Sequence, residues 1–149
     1  MKIVSENPFS VKTYFYTIAS RPSLRNKSPY VGDVELEEED GRTAIAHMPS
    51  LDMGGKCVPG ARILLKPARD SKGNLVGSVS KGKYGTPKCE FIAQLLWVSE
   101  PENAPGCWIG AHPSLGERLA HALLSEGHVA ELPPIVDIKR EVRKEGGAS

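Results

Sequence analysis

Five cations and one aromatic ring are concentrated between Ala68 and Lys88. Arg69, Lys72, Lys81, Lys83 and Lys88 stand there with Tyr84 among them, opposed by the single acid Asp70. Glycine and serine fill much of the remainder, so the stretch reads as a flexible basic loop. Cationic side chains on such a loop track phosphates, and an exposed ring stacks on a base, a grip that tolerates sequence. Counterion release would supply most of the affinity, which makes salt sensitivity the expected signature. The plainer reading of the same composition is a solvated surface loop.

A second cluster has the opposite sign. Asp33, Glu35, Glu37, Glu38, Glu39 and Asp40 crowd one short segment. Clustered carboxylates suit hard cations, but charge along an exposed strand also discourages edge-to-edge aggregation. Alternation puts Val34 and Leu36 on one face and Asp33, Glu35 and Glu37 on the other, which predicts a solvated hairpin edge. Cys57, Cys89 and Cys107 are odd in number and unpaired in spacing, as expected of reduced thiols in a cytosol-like compartment. With the four histidines they form no Cys-x-x-Cys or His-x-x-x-His pattern, and Cys107-x-x-x-x-His112 alone is a weak zinc signal. A Cys57/His47 nucleophile pair has no supporting pattern either. The expectation is a chain with no catalytic, cofactor-binding or metal-binding residues of its own.

These groups need elements to position them. Hydrophobic residues make up 40% of the 149 and charged ones 25%, which suits a globular chain, and the net charge of +1 excludes a globally basic nucleic-acid coat. No apolar run approaches the roughly 20 residues that span a bilayer. The segment 1–28 is basic and poor in acids, and reads either as a targeting extension or, through Val11, Tyr14, Tyr16 and Ile18, as a first strand. From Tyr30 to Leu65 the pattern is clearer. Tyr30 to Leu36 and Thr43 to His47 flank Glu39-Asp40-Gly41 as a hairpin. Val58-Pro59-Gly60-Ala61 has the composition of a type II turn leading into a third strand, Arg62 to Lys66. Three short strands joined by sharp turns predict a small β-barrel. Glu90 to Val98 reads as its buried closing strand, with Trp97 in the core. Ser114 to Gly127 is the best helix, with a Ser114/Glu117 capping box and Gly127 at the left-handed end position. Ile135 to Val142 reads as a further strand.

The chain resembles the sugar fermentation stimulation protein A family. The resemblance rests on Gly32-Asp33-Val34-Glu35-Leu36, Asp40-Gly41-Arg42-Thr43, His47, Pro49-Ser50 and Val58-Pro59-Gly60-Ala61-Arg62, with a second block from Trp108 to Val142. It covers most of the chain from about Lys27 onward, apart from an insertion near Asp70 to Lys81. It implies an OB-like first domain and a second half like a nuclease of the PD-(D/E)XK type. Trp108-Ile109-Gly110, Leu115 to Leu119, Glu131-Leu132 and Arg140-Glu141-Val142 map onto the opening of that half. The family's metal-holding carboxylates and its lysine would lie beyond Ser149, so the chain resembles a truncated member. Lys83-Tyr84 falls where the family carries a basic-Lys-Tyr-Pro element, with Gly85 in place of the proline.

The expected architecture is therefore mainly β. An N-terminal extension occupies 1–26, an OB-like β-barrel 27–98, a linker 99–107, and an incomplete α/β, nuclease-like segment 108–149. The expected function is cytoplasmic binding of DNA or another nucleic acid with little sequence specificity, through Lys27, Arg42, His47, Arg62, Lys81, Lys83, Tyr84 and Lys88. No membrane partner is expected. Two alternatives stand beside it. One is a metal-dependent nuclease whose catalytic half is supplied by a second chain or by sequence outside this one. The other is a protein-binding β-domain or gene fragment.

Overall fold

A computed structural model of the chain describes residues 14–36, 41–50, 53–99, 105–130, 132–133 and 137–138. Two compact units divide between Pro113 and Ser114. The first is a β-barrel built from β1 (Tyr14–Ser20), β2 (Val31–Leu36), β3 (Thr43–His47), β4 (Arg62–Pro67), β5 (Phe91–Val98) and β6 (Cys107–Gly110). The strands lie in the order β3-β2-β1-β4-β5-β6, and a parallel pairing of β3 with β5 through Ala46↔Phe91 and His47↔Ile92 closes the ring. This five-strand closure, β1-β2-β3-β5-β4, makes an OB-like barrel. β5 shares its second edge: its first residues meet β3, and Leu95 to Val98 pair with β6.

The barrel is wider than its sequence boundaries suggested. β1 sits between β2 and β4, so residues assigned to an extension are the centre of the sheet. β6, expected to open the next unit, hydrogen-bonds to β5. β1 gains its place from β2 and the more distant β4, as the first-strand reading of this segment allowed, and β6 pairs with the strand just before it in sequence. The β2–β3 hairpin, the turn with Ala61 N–H bonded to the Val58 carbonyl (3.1 Å) and the strand after it form as expected.

The core lies inside the ring. Tyr16, Ile18, Val34, Met48, Ile63, Leu65, Phe91 and Leu96 fill it, and Ala44, Ala46 and Ala93 leave room for the larger rings. Tyr16 and Phe91 pack tilted with centroids 4.9 Å apart. Trp97 is outside this core. Leu65 pairs with Ala93 but Leu64 with Leu95, so Gln94 is an extra residue in β5. Such a bulge flips the inward parity, from Phe91 and Ala93 to Leu96, and turns Trp97 onto the outer face. There it meets Trp108 edge-on at 5.2 Å, and Trp108 meets Phe15 at 5.8 Å.

Gly32 shows how tightly β2 approaches its neighbours. A Cβ at this position would stand 2.6 Å from Met48 Cε and 3.1 Å from the Ser20 carbonyl oxygen. Gly32→Ala is expected to cost about 1–3 kcal/mol, the usual range for overpacking, read as a lower urea midpoint. An unchanged midpoint would mean that the Met48 side chain simply swings aside.

The second unit contains α1 (Leu115–Ser125). Ser114 makes no side-chain capping bond, so the Ser114 half of the expected capping box does not form. The other end is as expected. Gly127 takes φ +68°, with its N–H on Leu124 O (3.3 Å) and the His128 N–H on Leu123 O (2.9 Å), the bonding of a Schellman stop. No residue of α1 is buried, and Leu119 is 51% exposed. Of the strand expected at Ile135 to Val142, the described residues Asp137 and Ile138 are not in strand, and the others lie outside the described set. No helix among the described residues is long and apolar enough to cross a membrane.

Candidate nucleic-acid interface

Two loops, β1–β2 and β4–β5, carry most of the cations proposed from sequence. The first is organised by Asp33. Its Oδ2 accepts bonds from Ser20 Oγ (2.9 Å) and the Leu24 N–H (2.7 Å). Its Oδ1 accepts Ser23 Oγ (2.8 Å) and lies 3.2 Å from an Arg25 guanidinium nitrogen. Burial alone would push its pKa up. The Leu24 amide, the Ser23 and Ser20 hydroxyls and the Arg25 charge outweigh that and hold it below the ordinary value of 3.8. Asp33 is only 6% exposed, so the expected solvated acidic edge is corrected at this residue. Glu37 to Asp40 lie outside the described residues.

The same bonds lay the loop over the outside of β2. Val31 and Asp33 alternate with the core residues Gly32 and Val34, and Ile45 pairs with Asp33. All three are nonetheless buried. Much of the outer β2–β3 face, which OB barrels commonly offer to ligands, is thereby covered.

The β4–β5 loop is hydrogen-bonded throughout, contrary to the flexible loop expected from its composition. Arg69↔Leu75 and Lys81↔Pro87 are isolated bridges, each closing a tight hairpin. In the first, the Asp70 carboxylate accepts the Lys72 and Asn74 N–H groups, both at 2.9 Å. The Asn74 backbone amide is the main reason its pKa is lowered, against an opposing burial penalty, and the Asn74 side chain, the Lys72 amide and the Lys88 charge contribute. Tyr84 stands 88% exposed at the second tip, with Lys83 Nζ 5.8 Å from its ring centre.

The loops meet where Asn26 Nδ2 donates to the Pro87 carbonyl at 3.0 Å, across 61 residues of chain. Lys27, exposed with φ +59°, is next to Asn26. Lys88 follows Pro87 and Lys81 bridges to it. The Asn26–Pro87 bond thus ties the loop that carries Lys27 to the hairpin that carries Lys81, Lys83, Tyr84 and Lys88. His47 is half-buried at the end of β3, opposite Val31 and Ile92. Arg42 is engaged elsewhere, with Nη2 2.6 Å from Oε2 of Glu90, a carboxylate only 5% exposed. Arg62 lies on β4, beside Thr17 of β1, with its guanidinium 5.9 Å from the Phe15 ring centre. Sequence reasoning left out Asn26 and Glu90, because neither residue type signals a contact so remote in sequence.

Of the three thiols, Cys107 is exposed at the start of β6. Cys57 is buried with Sγ 3.7 Å from Met48 Sδ, and burial pushes Cys89 up to about 11. Among the described residues no three His, Cys, Asp or Glu side chains converge as metal ligands.

No family model and no solved structure matches the chain. Curated proteins do. A sugar fermentation stimulation protein homolog of Geotalea uraniireducens (strain Rf4) is 30% identical over 121 residues, covering 80% of this chain and 43% of that protein. The protein of the same name from Parasynechococcus marenigrum (strain WH8102) is 29% identical over 126 residues, with 80% and 41% covered. A third, from Geobacter sp. (strain M21), is 30% identical over 120 residues. The chain is a homologue of the sugar fermentation stimulation proteins. It spans about two fifths of the length of these sugar fermentation stimulation protein homologs.

Proposed function

We propose that the barrel binds nucleic acid with little sequence preference, through the outer surface of the β1–β2 and β4–β5 loops. The observation that carries this reading is the Asn26–Pro87 bond, which joins a loop bearing Lys27 to one bearing Lys81, Lys83, Tyr84 and Lys88. Their ammonium groups neutralise phosphates, which lie on every nucleotide alike, and the Tyr84 ring stacks on any base face. Contacts to phosphates and to the face of a base carry no sequence information, so discrimination between sequences is weak.

The test is a titration of single- and double-stranded DNA at several salt concentrations. Changing Lys81, Lys83 and Lys88 together to alanine is expected to weaken binding and to reduce the log–log salt slope by about 2–3, because three phosphates are then no longer neutralised. An affinity and slope equal to wild type on both forms of DNA would remove the β4–β5 loop from the interface.

A further inference from the structure

The two hairpins of the β4–β5 loop are one unit built twice. Asp70 N–H bonds to Asn74 O, and twelve residues on Gly82 N–H bonds to Thr86 O, both at 2.8 Å. Gly73 N–H bonds to Asp70 O and Gly85 N–H to Gly82 O, both at 3.0 Å. Val76 N–H closes on Ala68 O (3.0 Å) as Lys88 N–H closes on Ser80 O (2.9 Å). The bridges Arg69↔Leu75 and Lys81↔Pro87 keep the same offset, and the left-handed glycines Gly73 (φ +84°) and Gly85 (φ +75°) coincide in it. Each is a three-residue hairpin whose last loop residue is a glycine bulge. The chemistry that sets each turn differs: the Asp70 carboxylate caps the first, and Gly82 holds the equivalent position in the second.

What repeats along with the geometry is a cation at the base. Arg69 and Lys81 are equivalent, and each tip adds a lysine, Lys72 in one and Lys83 in the other. Apolar groups stand out between and beside these cations: Leu75, Val79 and Tyr84 are all exposed. A repeated cationic element suits a ligand whose own charge repeats. Exposed apolar groups beside the cations suit one whose base faces are free, which a single strand offers and a duplex does not.

We infer that the β4–β5 loop is a two-pronged grip whose hairpins hold successive stretches of one single strand of nucleic acid. This rests on the nucleic-acid reading and adds to it the strandedness and the bivalency. Linking two weak contacts through one ligand strengthens binding only when the ligand reaches both. Affinity should therefore climb with strand length in a step, not smoothly.

The repeat supplies the variant that tests it. Ala68 N–H already donates to Glu90 O at 2.8 Å. Excising Arg69 to Ser80 joins Ala68 to Lys81 and puts Ala68 in the place of Ser80, with its carbonyl released by Val76 and ready for the Lys88 N–H. Those two bonds run from Ala68 to Glu90 and to Lys88, two residues apart, so β4 and β5 stay joined through a single prong across a bulge. Anisotropy titrations with oligo-dT of about 6 to about 30 nucleotides bracket the site sizes of such barrels.

Wild type is expected to show the length step. The excised chain should match it within about two-fold on the shortest strands and fall about ten-fold behind or more on long ones. Its salt slope should be lower by about 1.4, for the removal of Arg69 and Lys72. Arg69→Ala with Lys72→Ala removes the Arg69 Nη1–Gly73 carbonyl bond (2.7 Å) but keeps the Asp70 carboxylate on the amides of residues 72 and 74; it should reproduce the weakening, and decides the matter if the excised chain does not fold. Equal affinity of wild type and both variants at every length would overturn the two-pronged grip while leaving nucleic-acid binding standing. A duplex bound as tightly as the single strand, with the same length step, would overturn the strandedness. Wild type that binds no oligonucleotide at low salt would overturn the nucleic-acid reading itself.

Discussion

Asp33→Ala is expected to lower unfolding stability by about 3 kcal/mol at neutral pH, because several hydrogen bonds to a buried charge disappear together. Four neighbours converge on that carboxylate: Ser20, Ser23, the Leu24 amide and Arg25. Without it the Leu24 amide and the two hydroxyls lose their acceptor under the loop that carries Lys27. Asp33→Asn retains the volume but removes the charge and turns one of the two acceptor oxygens into an NH2 donor, so it loses the charge together with the bonds on that atom. The folded-state pKa is depressed below 3.8, so the contribution is fully present above that value and is lost as pH falls through the folded pKa. The gap between wild type and Asp33→Asn should hold steady from neutral pH down to about 4 and close below it. Urea unfolding at a series of pH values measures this, and a gap that widens on acidification would contradict the assignment. Hydrogen exchange at Leu24 and Asn26 should quicken in the same variant, reporting release of the loop.

Arg42→Ala is the second large effect expected, and it separates architecture from binding. Arg42 follows the β2–β3 turn and meets Glu90 at the foot of β5, where the Glu90 N–H also bonds to Ile45 O at 2.8 Å. Removing one member of a buried ion pair strands the other, typically at a cost of 3–5 kcal/mol; because Arg42 is partly exposed, about 2 kcal/mol is expected here. Adding Glu90→Gln should restore part of that stability, since no buried charge is then left over. Thermal unfolding of the two single variants and the double one gives the coupling. DNA binding should follow the same order: weakened in Arg42→Ala with the barrel, and restored with it in the double variant. A double variant that regains stability but binds poorly would return Arg42 to the interface.

Both cases show where local pattern stops. The β2–β3 hairpin, the turn at Val58 to Ala61, the strand after it and the Gly127 helix stop were legible because each depends on residues a few positions apart. Turn chemistry and alternation are short-range properties, and they survive whatever the rest of the chain does. The mainly β class and the barrel follow from them.

The barrel's extent, and the partner of each charged side chain, were decided only by tertiary structure. Asp33 and Glu35 are both acids in one strand at alternating positions. One is buried beneath a loop while the other is exposed, because only Asp33 meets Ser20, Ser23 and Arg25. Trp97 reads as core until the extra residue Gln94 reverses the parity of β5. Arg42 and Lys27 look alike as cations, yet Arg42 faces a buried carboxylate 48 residues away while Lys27 is exposed next to Asn26, which holds the opposite loop. The sequence by itself determined the strands, their turns and the supply of basic groups. Which of those groups stand together was determined by closure of the ring, since a contact's free energy depends on what packs against it and not on its neighbours in the chain.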